Sequence, residues 1–310
     1  MRRGLTLTAL VTAVLAAGVT APPAGLAETG AQPHLRVPHA CGRTPHMRPD
    51  IRHVIVIVLE NKPITKIIGH AGFITALAHR CGLAANYHHN ARVSLPNYLA
   101  MTSGSTHGLR RNCTPKQCPI RGASIFTQLA RHRVPWRVFQ ESMPGRCVRS
   151  SSGRYAARHN PAVYYRRISR RQCRRHVVPL GTRGSGRLRK ALDHRGTPAY
   201  MFVTPNLCHD MHDCSVAVGD LWVSAWVRMI VKTRAYRAGH TAIFLTFDEG
   251  SNRNGHIATV VVSPYTPAGK VSHRRYSHFS LMRTTANVLG IRRCLGKACS
   301  ARSLSKAFRL

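Results

Sequence analysis

The stretch from His53 to Leu59, His-Val-Ile-Val-Ile-Val-Leu, is apolar at every position after the first and consists mainly of β-branched residues. A strand of this kind has no polar face, so it must be covered on both sides, as in a mostly parallel sheet between helices. Tyr200–Thr204 and residues 242–247 and 257–263 have the same character. Helical patterns alternate with these runs, so the sequence predicts an α/β fold with a largely parallel central sheet.

The predicted helices and one further strand lie between and after the apolar stretches. The helices cover residues 73–80, 95–101, 125–131, 219–236 and 279–289, and the strand covers residues 136–140. In open α/β sheets, ligands bind beyond the carboxyl ends of the strands. The residues that follow the strands are therefore the first candidates for a functional site.

The N-terminal residues have the pattern of a secretory signal peptide, which we place at residues 1–27. Arg2 and Arg3 precede an apolar run from residue 5 to residue 19, and Pro22 and Pro23 end it. The run is too short for a confident membrane span, and we expect no transmembrane segment after its removal. Residues 28–310 are expected to form a single domain that is secreted, either extracellular or periplasmic.

Ten cysteines suit an oxidising compartment, and none of their spacings is the paired Cys-x-x-Cys of a structural zinc site. Pairing of neighbours along the chain is the arrangement we favour. It joins Cys41 with Cys81, Cys113 with Cys118, Cys147 with Cys173, Cys208 with Cys214, and Cys294 with Cys299.

The charge of the chain is strongly unbalanced, with 47 Lys and Arg against 10 Asp and Glu and a formal net charge of +37. Such a surface attracts anions, including phospholipid headgroups and phosphorylated wall polymers, although a merely solvated basic surface is an equal alternative. No specific nucleic-acid partner is predicted. Residues 145–197 are crowded with Arg, Ser and Gly, and we interpret them as a basic surface insertion within the domain.

Acidic residues are so scarce that their positions carry information. Glu60 with Asn61 follows the first strand, and Asp248 with Glu249 follows the strand at residues 242–247. Three further acids lie between residues 205 and 220. Carboxylate and amide oxygens are the ligands of hard divalent cations, so these residues are metal-site candidates.

Ser94 stands where the helix predicted near residues 95–101 would begin. A phosphate at that point would meet free backbone N–H groups and the positive end of the helix dipole, and a serine there is a competent nucleophile. An ordinary helix-capping serine is the alternative. Thr102 and Ser103, farther along the same segment, are rival nucleophiles.

Two histidines accompany the acids. His212 lies in a segment rich in His and Asp between Cys208 and Cys214, where a disulfide would stiffen the loop, and His256 follows Asp248 and Glu249. Either type of position can supply a phosphate donor or a general acid.

In this order, the segments resemble the bacterial phosphoesterase family that includes acid phosphatases and non-haemolytic phospholipases C, within the alkaline phosphatase superfamily. The similarity runs from about residue 52 to residue 290. Its landmarks are a strand ending in Glu60-Asn61, Ser94-Leu-Pro-Asn-Tyr98 leading to Ser103-Gly104, Arg158-His-Asn-Pro161, residues 205–220, Phe247-Asp-Glu-Gly250, Tyr276-Ser-His278 and residues 281–284.

The resemblance implies a three-layer αβα sandwich, like alkaline phosphatase, that hydrolyses phosphate esters through a covalent phosphoserine. It implies that Ser94 attacks the substrate and that His212 and His256 bind the phosphate or protonate the leaving group, with His278 a weaker candidate. One divalent cation is expected, a second is left open, and the implied ligands are Glu60, Asn61, Asp248 and Glu249.

One departure bears on the substrate. The phospholipase C branch continues after Glu-Asn with Arg-Ser-Phe-Asp-His, whereas this chain has Lys62-Pro-Ile-Thr-Lys66. This favours the compact acid-phosphatase-like branch and hydrolysis of phosphate monoesters. The alternatives are a phospholipase C-type phosphodiesterase and a non-catalytic basic protein that binds polyanions or a cell surface.

Overall fold

An eight-stranded sheet forms the centre of the computed structural model, which describes Met1, residues 37–44 and residues 47–310. Except for Met1, the predicted signal peptide at residues 1–27 lies outside the described residues. Gln32–Leu310 form one compact unit. No helix in the described part of the chain is long and apolar enough to cross a membrane.

The central sheet has the order β10-β2-β9-β7-β1-β6-β4-β5. The strands from β5 to β7 are parallel, β9 runs antiparallel to both β7 and β2, and β10 is parallel to β2. The strands are β1 (His53–Leu59), β2 (Gly82–Ala84), β4 (Trp136–Gln140), β5 (Val177–Pro179), β6 (Tyr200–Thr204), β7 (Thr241–Phe247), β9 (Thr259–Val262) and β10 (Lys270–Ser272). A small second sheet has the order β11-β3-β8, with β3 at Tyr87–His88, β8 at His256–Ile257 and β11 at Tyr276–Ser277.

Both faces of the central sheet are covered, because every residue of β6 and β7 and all but the first residue of β1 are buried. This confirms the predicted αβα architecture with a mostly parallel sheet. The helices are α1 (Gly72–Arg80), α2 (Ser94–Ser103), α3 (Ile125–Arg131), α4 (Arg170–His176), α5 (Arg187–Asp193), α6 (Val216–Val231), α7 (Arg234–Arg237), α8 (His278–Val288) and α9 (Ser305–Phe308).

Helix pairs build the outer layers, with α1 packed against α6 and α2 packed against α8. The helix expected over residues 219–236 is divided between α6 and α7. The break comes at Thr233, whose hydroxyl donates to the carbonyl of Ile230 at 2.6 Å.

The predicted cysteine pairing is confirmed in all five cases. Disulfides join Cys41 with Cys81, Cys113 with Cys118, Cys147 with Cys173, Cys208 with Cys214, and Cys294 with Cys299.

Residues 145–197 are not a surface insertion throughout, which corrects the interpretation made from their composition. Many of their arginines are exposed, but the segment adds β5 to the edge of the central sheet. It also buries Tyr155, Tyr165 and His159. Apolar residues between the arginines pack into the core, and composition alone does not reveal this alternation.

Asp220 of α6 caps the beginning of α1 from outside that helix. Its buried carboxylate accepts hydrogen bonds from the backbone N–H groups of Phe73 and Ile74, each at 2.8 Å. These N–H groups have no partner within α1, since the first turn of a helix leaves its donors unpaired. Asp220 therefore supports the fold rather than a cation.

Replacing Asp220 with asparagine is expected to destabilise the protein by about 1–3 kcal/mol, because the amide can accept with only one oxygen and leaves a buried N–H unpaired. Urea denaturation should show a lower midpoint with an unchanged slope. Asp50→Asn is the matched control, since Asp50 is exposed and its carboxylate pairs with the side chain of Arg52 on the surface. Equal stability of the two variants would contradict the capping role.

Candidate active site

Acidic residues follow three neighbouring parallel strands, β7, β1 and β6, at the carboxyl ends of these strands. In the pairing of β1 with β7, Leu59 lies opposite Phe247, so Glu60 and Asp248 are the next residues on adjacent strands. The N–H of Asp248 donates to the carbonyl of Leu59 at 2.9 Å. On the other side of β1, the N–H of Glu60 donates to the carbonyl of Asp210, in the loop after β6, at 2.8 Å.

The loop after β6 is held rigidly. The Cys208–Cys214 disulfide closes it, and the side-chain oxygen of Asn206 accepts from the N–H groups of Cys208 and His209 at 3.0 Å. Asp210 then turns its Oδ1 towards the N–H of His212, at 2.8 Å.

Glu141, which follows β4, braces the same loop. Its carboxylate accepts from the N–H of Asn206 at 3.0 Å and from the indole N–H of Trp222 at 3.1 Å, and it lies 2.9 Å from Nδ1 of His209. A carboxylate held by these groups fixes the position of the backbone on either side of Asp210.

Ser94 begins α2 and is buried against the acids. Its hydroxyl donates to Oε2 of Glu60 at 3.0 Å. The side chain of Asn97 fixes the preceding loop, since its oxygen accepts from the N–H groups of Asn90 and Ala91 at 2.9 Å. The structure therefore brings the predicted nucleophile to the predicted metal ligand.

His159 completes the cluster. Its ring stacks on Tyr98, with centroids 5.3 Å apart and planes within 6°, and the hydroxyl of Tyr98 donates to Oε1 of Glu60 at 2.5 Å. Nε2 of His159 lies 3.3 Å from Glu60, and Nδ1 lies 3.3 Å from Oδ2 of Asp210. Glu60, His159 and Asp210 together form a buried group that could hold a metal ion.

The acids of this cluster disfavour one another's ionisation. Burial, followed by the charges of Asp248 and Asp210, raises the pKa of Glu60 well above its usual value. Burial also raises the pKa of Asp248, and it raises the pKa of Asp210 to about 7. Because burial lowers the pKa of His159 to about 3, this histidine brings no compensating positive charge.

Unpaired polar atoms show that the cluster fits a cation. Oδ2 of Asp210, Oδ2 of Asp248 and Nε2 of His159 are buried without a hydrogen-bond partner. An unpaired buried carboxylate oxygen is costly. Carboxylate oxygens and a neutral imidazole nitrogen are donors that divalent cations accept.

Asn61 and Glu249, the other two predicted ligands, lie beside the cluster. Together with Arg92 and residues 250–253 they line a cavity of about 410 Å³. Burial and the neighbouring Asp248 raise the pKa of Glu249 to about 8. Arg92 is two residues from Ser94, and Glu249 is next to Asp248 in the sequence. The cavity therefore adjoins the cluster formed by Glu60, His159, Asp210 and Asp248.

His212 lies near the cluster and is partly exposed. Its ring centroid is 6.2 Å from that of His159. Nε2 lies 3.4 Å from the guanidinium of Arg158, which can only donate, so Nε2 is the accepting nitrogen. Nδ1–H therefore donates to Asp213, at 2.6 Å.

His256 has its contacts in the small sheet. Its Nε2 donates to the carbonyl of Ala85 at 2.6 Å, and its ring stacks on His88 with centroids 5.1 Å apart. These contacts hold His256 in the wall of the neighbouring loop, and its catalytic role stays a prediction.

His278 is buried behind the cluster. Its Nε2 donates to the backbone carbonyl of Asp248 at 2.6 Å, and its Nδ1 accepts from the hydroxyl of Tyr87 at 3.2 Å. Burial lowers its pKa to about 3, so the ring stays neutral and positions Asp248 instead of donating a proton to substrate.

Replacing His278 with leucine is expected to lower kcat by about 10- to 100-fold, because the backbone of Asp248 loses its fixed partner. His278→Gln keeps an N–H near the position of Nε2 and should restore most of this loss. Steady-state kinetics of both variants provide the measurement. An equal loss in the two variants would contradict a positioning role.

The rival nucleophiles Thr102 and Ser103 lie in the last turn of α2, at the end opposite Ser94. The hydroxyl of Thr102 donates to the carbonyl of Tyr98, and that of Ser103 donates to the carbonyl of Leu99, both at 2.8 Å. Both hydroxyls are thus bonded to their own helix.

The sequence assigns no role to His159, and it does not single out Asp210 from the three acids between residues 205 and 220 that are metal-site candidates. Arg158-His-Asn-Pro161 had been recognised as a family landmark, but it lies in the segment interpreted as a surface insertion. The apolar residues on both sides, residues 155–157 and 162–165, were the available sign that this histidine is buried.

The fold agrees with the similarity of this chain to known proteins. The chain belongs to the Phosphoesterase family, whose model matches residues 70–292. It is similar to the phosphatidylinositol-3-phosphatase of Mycobacterium tuberculosis, with 30% identity over 252 residues that cover 78% of each chain. It is also similar to the phosphate-repressible acid phosphatase of Penicillium chrysogenum, with 26% identity over 70% of this chain and 54% of the fungal one.

Among solved structures, the fold resembles that of a protein in the alkaline phosphatase superfamily from Vibrio parahaemolyticus. The TM-score is 0.53 at 11% identity, over 79% of this chain and 68% of the other. At this identity the likeness concerns the fold alone. Together with its family, the fold and the relatives make the chain a hydrolase that acts on phosphoric ester bonds.

Proposed function

We propose that this protein is a secreted, metal-dependent phosphatase that hydrolyses phosphate monoesters through a phosphoserine at Ser94. The observation that carries the proposal is the hydrogen bond between Ser94 and Glu60, within a buried cluster whose carboxylates lack counter-charge. A serine hydroxyl placed among cation ligands and at a helix N-terminus is suited to attack phosphorus.

We assign metal binding to Glu60, Asp248, Asp210 and His159, with Asn61 and Glu249 at the adjoining cavity as further candidates. A divalent cation there would neutralise phosphate charge and lower the pKa of a nearby hydroxyl. One cation suffices for this group of ligands, and a second is left open.

The chain's own residues define the remaining steps. Glu60 orients Ser94 by accepting its hydroxyl proton in a hydrogen bond, so that the oxygen is positioned to form the new bond to phosphorus. The Ser94 proton passes to Glu60 as the bond between phosphorus and the ester oxygen breaks, and the alcohol leaves with a proton from His212. Water then cleaves the phosphoserine, which releases phosphate and restores the hydroxyl.

His212 is the residue we assign to the leaving group. Asp213 holds its Nδ1–H, which leaves Nε2 directed towards Arg158. A substrate phosphate would compete for the guanidinium of Arg158 and free Nε2 to take up a proton from water, and the imidazolium would then give this proton to the departing alcohol. Arg92, on the wall of the 410 Å³ cavity, offers a second positive charge for a dianionic monoester.

Monoester hydrolysis is favoured by two observations. Basic side chains of Arg92 and Arg158 lie around the cluster, and a dianionic monoester gains more from them than a monoanionic diester. The relatives named above are phosphatases, and one is named for a phosphoinositide, so an inositol lipid phosphate belongs among the substrates tested. Secretion is supported by the five disulfides.

The test compares three chromogenic esters with the purified protein and added divalent metals: para-nitrophenyl phosphate, bis-para-nitrophenyl phosphate and para-nitrophenyl phosphorylcholine. Preferential turnover of the first supports a monoesterase. Preference for the choline ester would move the protein to the phospholipase C-type alternative. No turnover of any ester across pH and metals, together with tight polyanion binding, would favour the non-catalytic binding protein.

A further inference from the structure

Four arginines surround a cavity that shares no lining residue with the catalytic cluster. The cavity has a volume of about 430 Å³ and is lined by Arg146, Cys147, Arg149, Arg170 and Arg174. All four arginine side chains belong to exposed residues. We call this group the arginine pocket.

The two walls of the arginine pocket are fixed to each other. The disulfide between Cys147 and Cys173 joins the loop at residues 146–149 to α4. The N–H of Cys147 donates to the carbonyl of Val177 at 3.0 Å, which anchors this loop to β5. In addition, the guanidinium of Arg146 donates to the carbonyl of Arg174 at 3.4 Å. The guanidinium groups are therefore presented by a rigid frame.

The arrangement is electrostatically unfavourable for the protein alone. Arg170 and Arg174 are four residues apart on one face of α4, and such like-charged pairs destabilise a helix. The pKa of the nearby Arg137 is lowered, first by burial and next by repulsion from Arg146, Arg175 and Arg187. A group of positive charges this close is relieved by an anion placed among them.

No carboxylate in the described part of the chain supplies that anion. The chain has 10 acidic residues, of which Glu28 lies outside the described residues. The other nine are engaged elsewhere. Glu60, Asp210 and Asp248 belong to the cluster around Ser94, and Glu249 lies at the cavity beside it. Glu141 contacts His209, Asp213 contacts His212, and Asp220 caps α1. Asp50 pairs with Arg52, and Asp193 pairs with Arg189.

We propose that the arginine pocket is a second anion-binding site, for a compact ligand that carries several phosphate groups. Its volume is in the range of small-molecule sites, and guanidinium groups bind phosphate oxygens in pairs of parallel hydrogen bonds. Sites for single-stranded nucleic acid add aromatic platforms on which bases stack. The lining residues described above are arginines and a cysteine, which favours a compact anion over a polynucleotide.

Inorganic tripolyphosphate is the probe for this site. Binding is measured calorimetrically with Ser94→Ala protein at about 0.15 M ionic strength, and the probe is confirmed intact afterwards. Binding at the catalytic site is common to all the proteins compared, so the second site is read from the difference between them. We expect Arg146→Gln with Arg174→Gln to weaken binding at least about tenfold. The control, Arg80→Gln with Arg195→Gln, removes the same charge from exposed positions elsewhere and should leave binding within about twofold.

Equal weakening in the two double variants would show that only bulk charge matters, and would overturn the proposal. So would an oligonucleotide that occupies the pocket and is not displaced by tripolyphosphate. A second measurement needs no variant. Tripolyphosphate should protect Arg146, Arg149, Arg170 and Arg174 from phenylglyoxal, as read by mass spectrometry of the peptides, while Arg80 and Arg195 stay reactive. Failure of this protection would also overturn the proposal, whether or not Ser94 is the nucleophile.

Discussion

Ser94→Ala is expected to lower kcat for a phosphate monoester by at least about a thousandfold, which is the scale of loss when a covalent nucleophile is removed. The hydroxyl is buried against Glu60 and its replacement removes only one oxygen, so the fold should be unaffected. The measurement is the steady-state rate with para-nitrophenyl phosphate, together with circular dichroism to confirm folding.

Thr102→Val and Ser103→Ala are the matched controls, because each removes a buried hydroxyl from the same helix. Both should keep kcat within about tenfold of the parent protein. Acid quenching during turnover should in addition trap a phosphoryl group on the peptide that contains Ser94. Retained activity in Ser94→Ala, or phosphate trapped on another peptide, would contradict the assignment of the nucleophile.

Asp248→Asn is expected to lower metal affinity and kcat by about 100-fold or more, since it removes a charged oxygen from the centre of the cation site. Removal of metal with a chelator should abolish the activity of the parent protein, and re-addition of a divalent metal should restore it. Metal content per chain, measured by elemental analysis, separates loss of binding from loss of chemistry.

Asp213→Asn is the control for Asp248→Asn. Asp213 is exposed and bonds to His212 in the neighbouring loop, so its replacement should leave the metal content unchanged and affect mainly the leaving-group step. An unchanged metal content in Asp248→Asn, or full activity after exhaustive metal removal, would contradict the proposed cation site.

The positions of β1, β6 and β7 could be predicted closely from the sequence because burial on both faces leaves continuous apolar runs. The run predicted as one strand at residues 257–263 is instead divided between β8 and β9, which belong to different sheets. β1 was predicted with its observed bounds, and β7 begins only one residue earlier than predicted. The pairing of β1 with β7 then brings Glu60 and Asp248 together, which follows from the general position of ligands at strand ends.

The sequence could not separate Asp248 from Glu249, because adjacent residues at a strand end can turn either way. In the structure, backbone N–H groups fix the direction of the Asp248 side chain. Oδ1 of Asp248 accepts from the N–H groups of Asn61 and Glu249, at 3.0 and 2.6 Å, which holds its carboxylate inward. Glu249 faces the adjoining cavity instead.

His159 could not be identified as a ligand from the sequence, and Asp210 could not be separated from its neighbouring acids, for a different physical reason. Both come from loops, and their approach to Glu60 depends on how those loops cross the end of the sheet. For His159 that path is set by stacking on Tyr98, and for Asp210 it is set by the Cys208–Cys214 disulfide. Nineteen histidines in the chain also made it difficult to single out one of them.

The cluster draws its residues from widely separated parts of the chain, from Glu60 after β1 to Asp248 after β7. Contacts with such long sequence separation form late, since the intervening chain must first be ordered. Recovery of catalytic activity during refolding should therefore lag behind the return of helical signal. In a growing polypeptide, the cation site cannot exist until the strand that precedes Asp248 has been made and inserted beside β1.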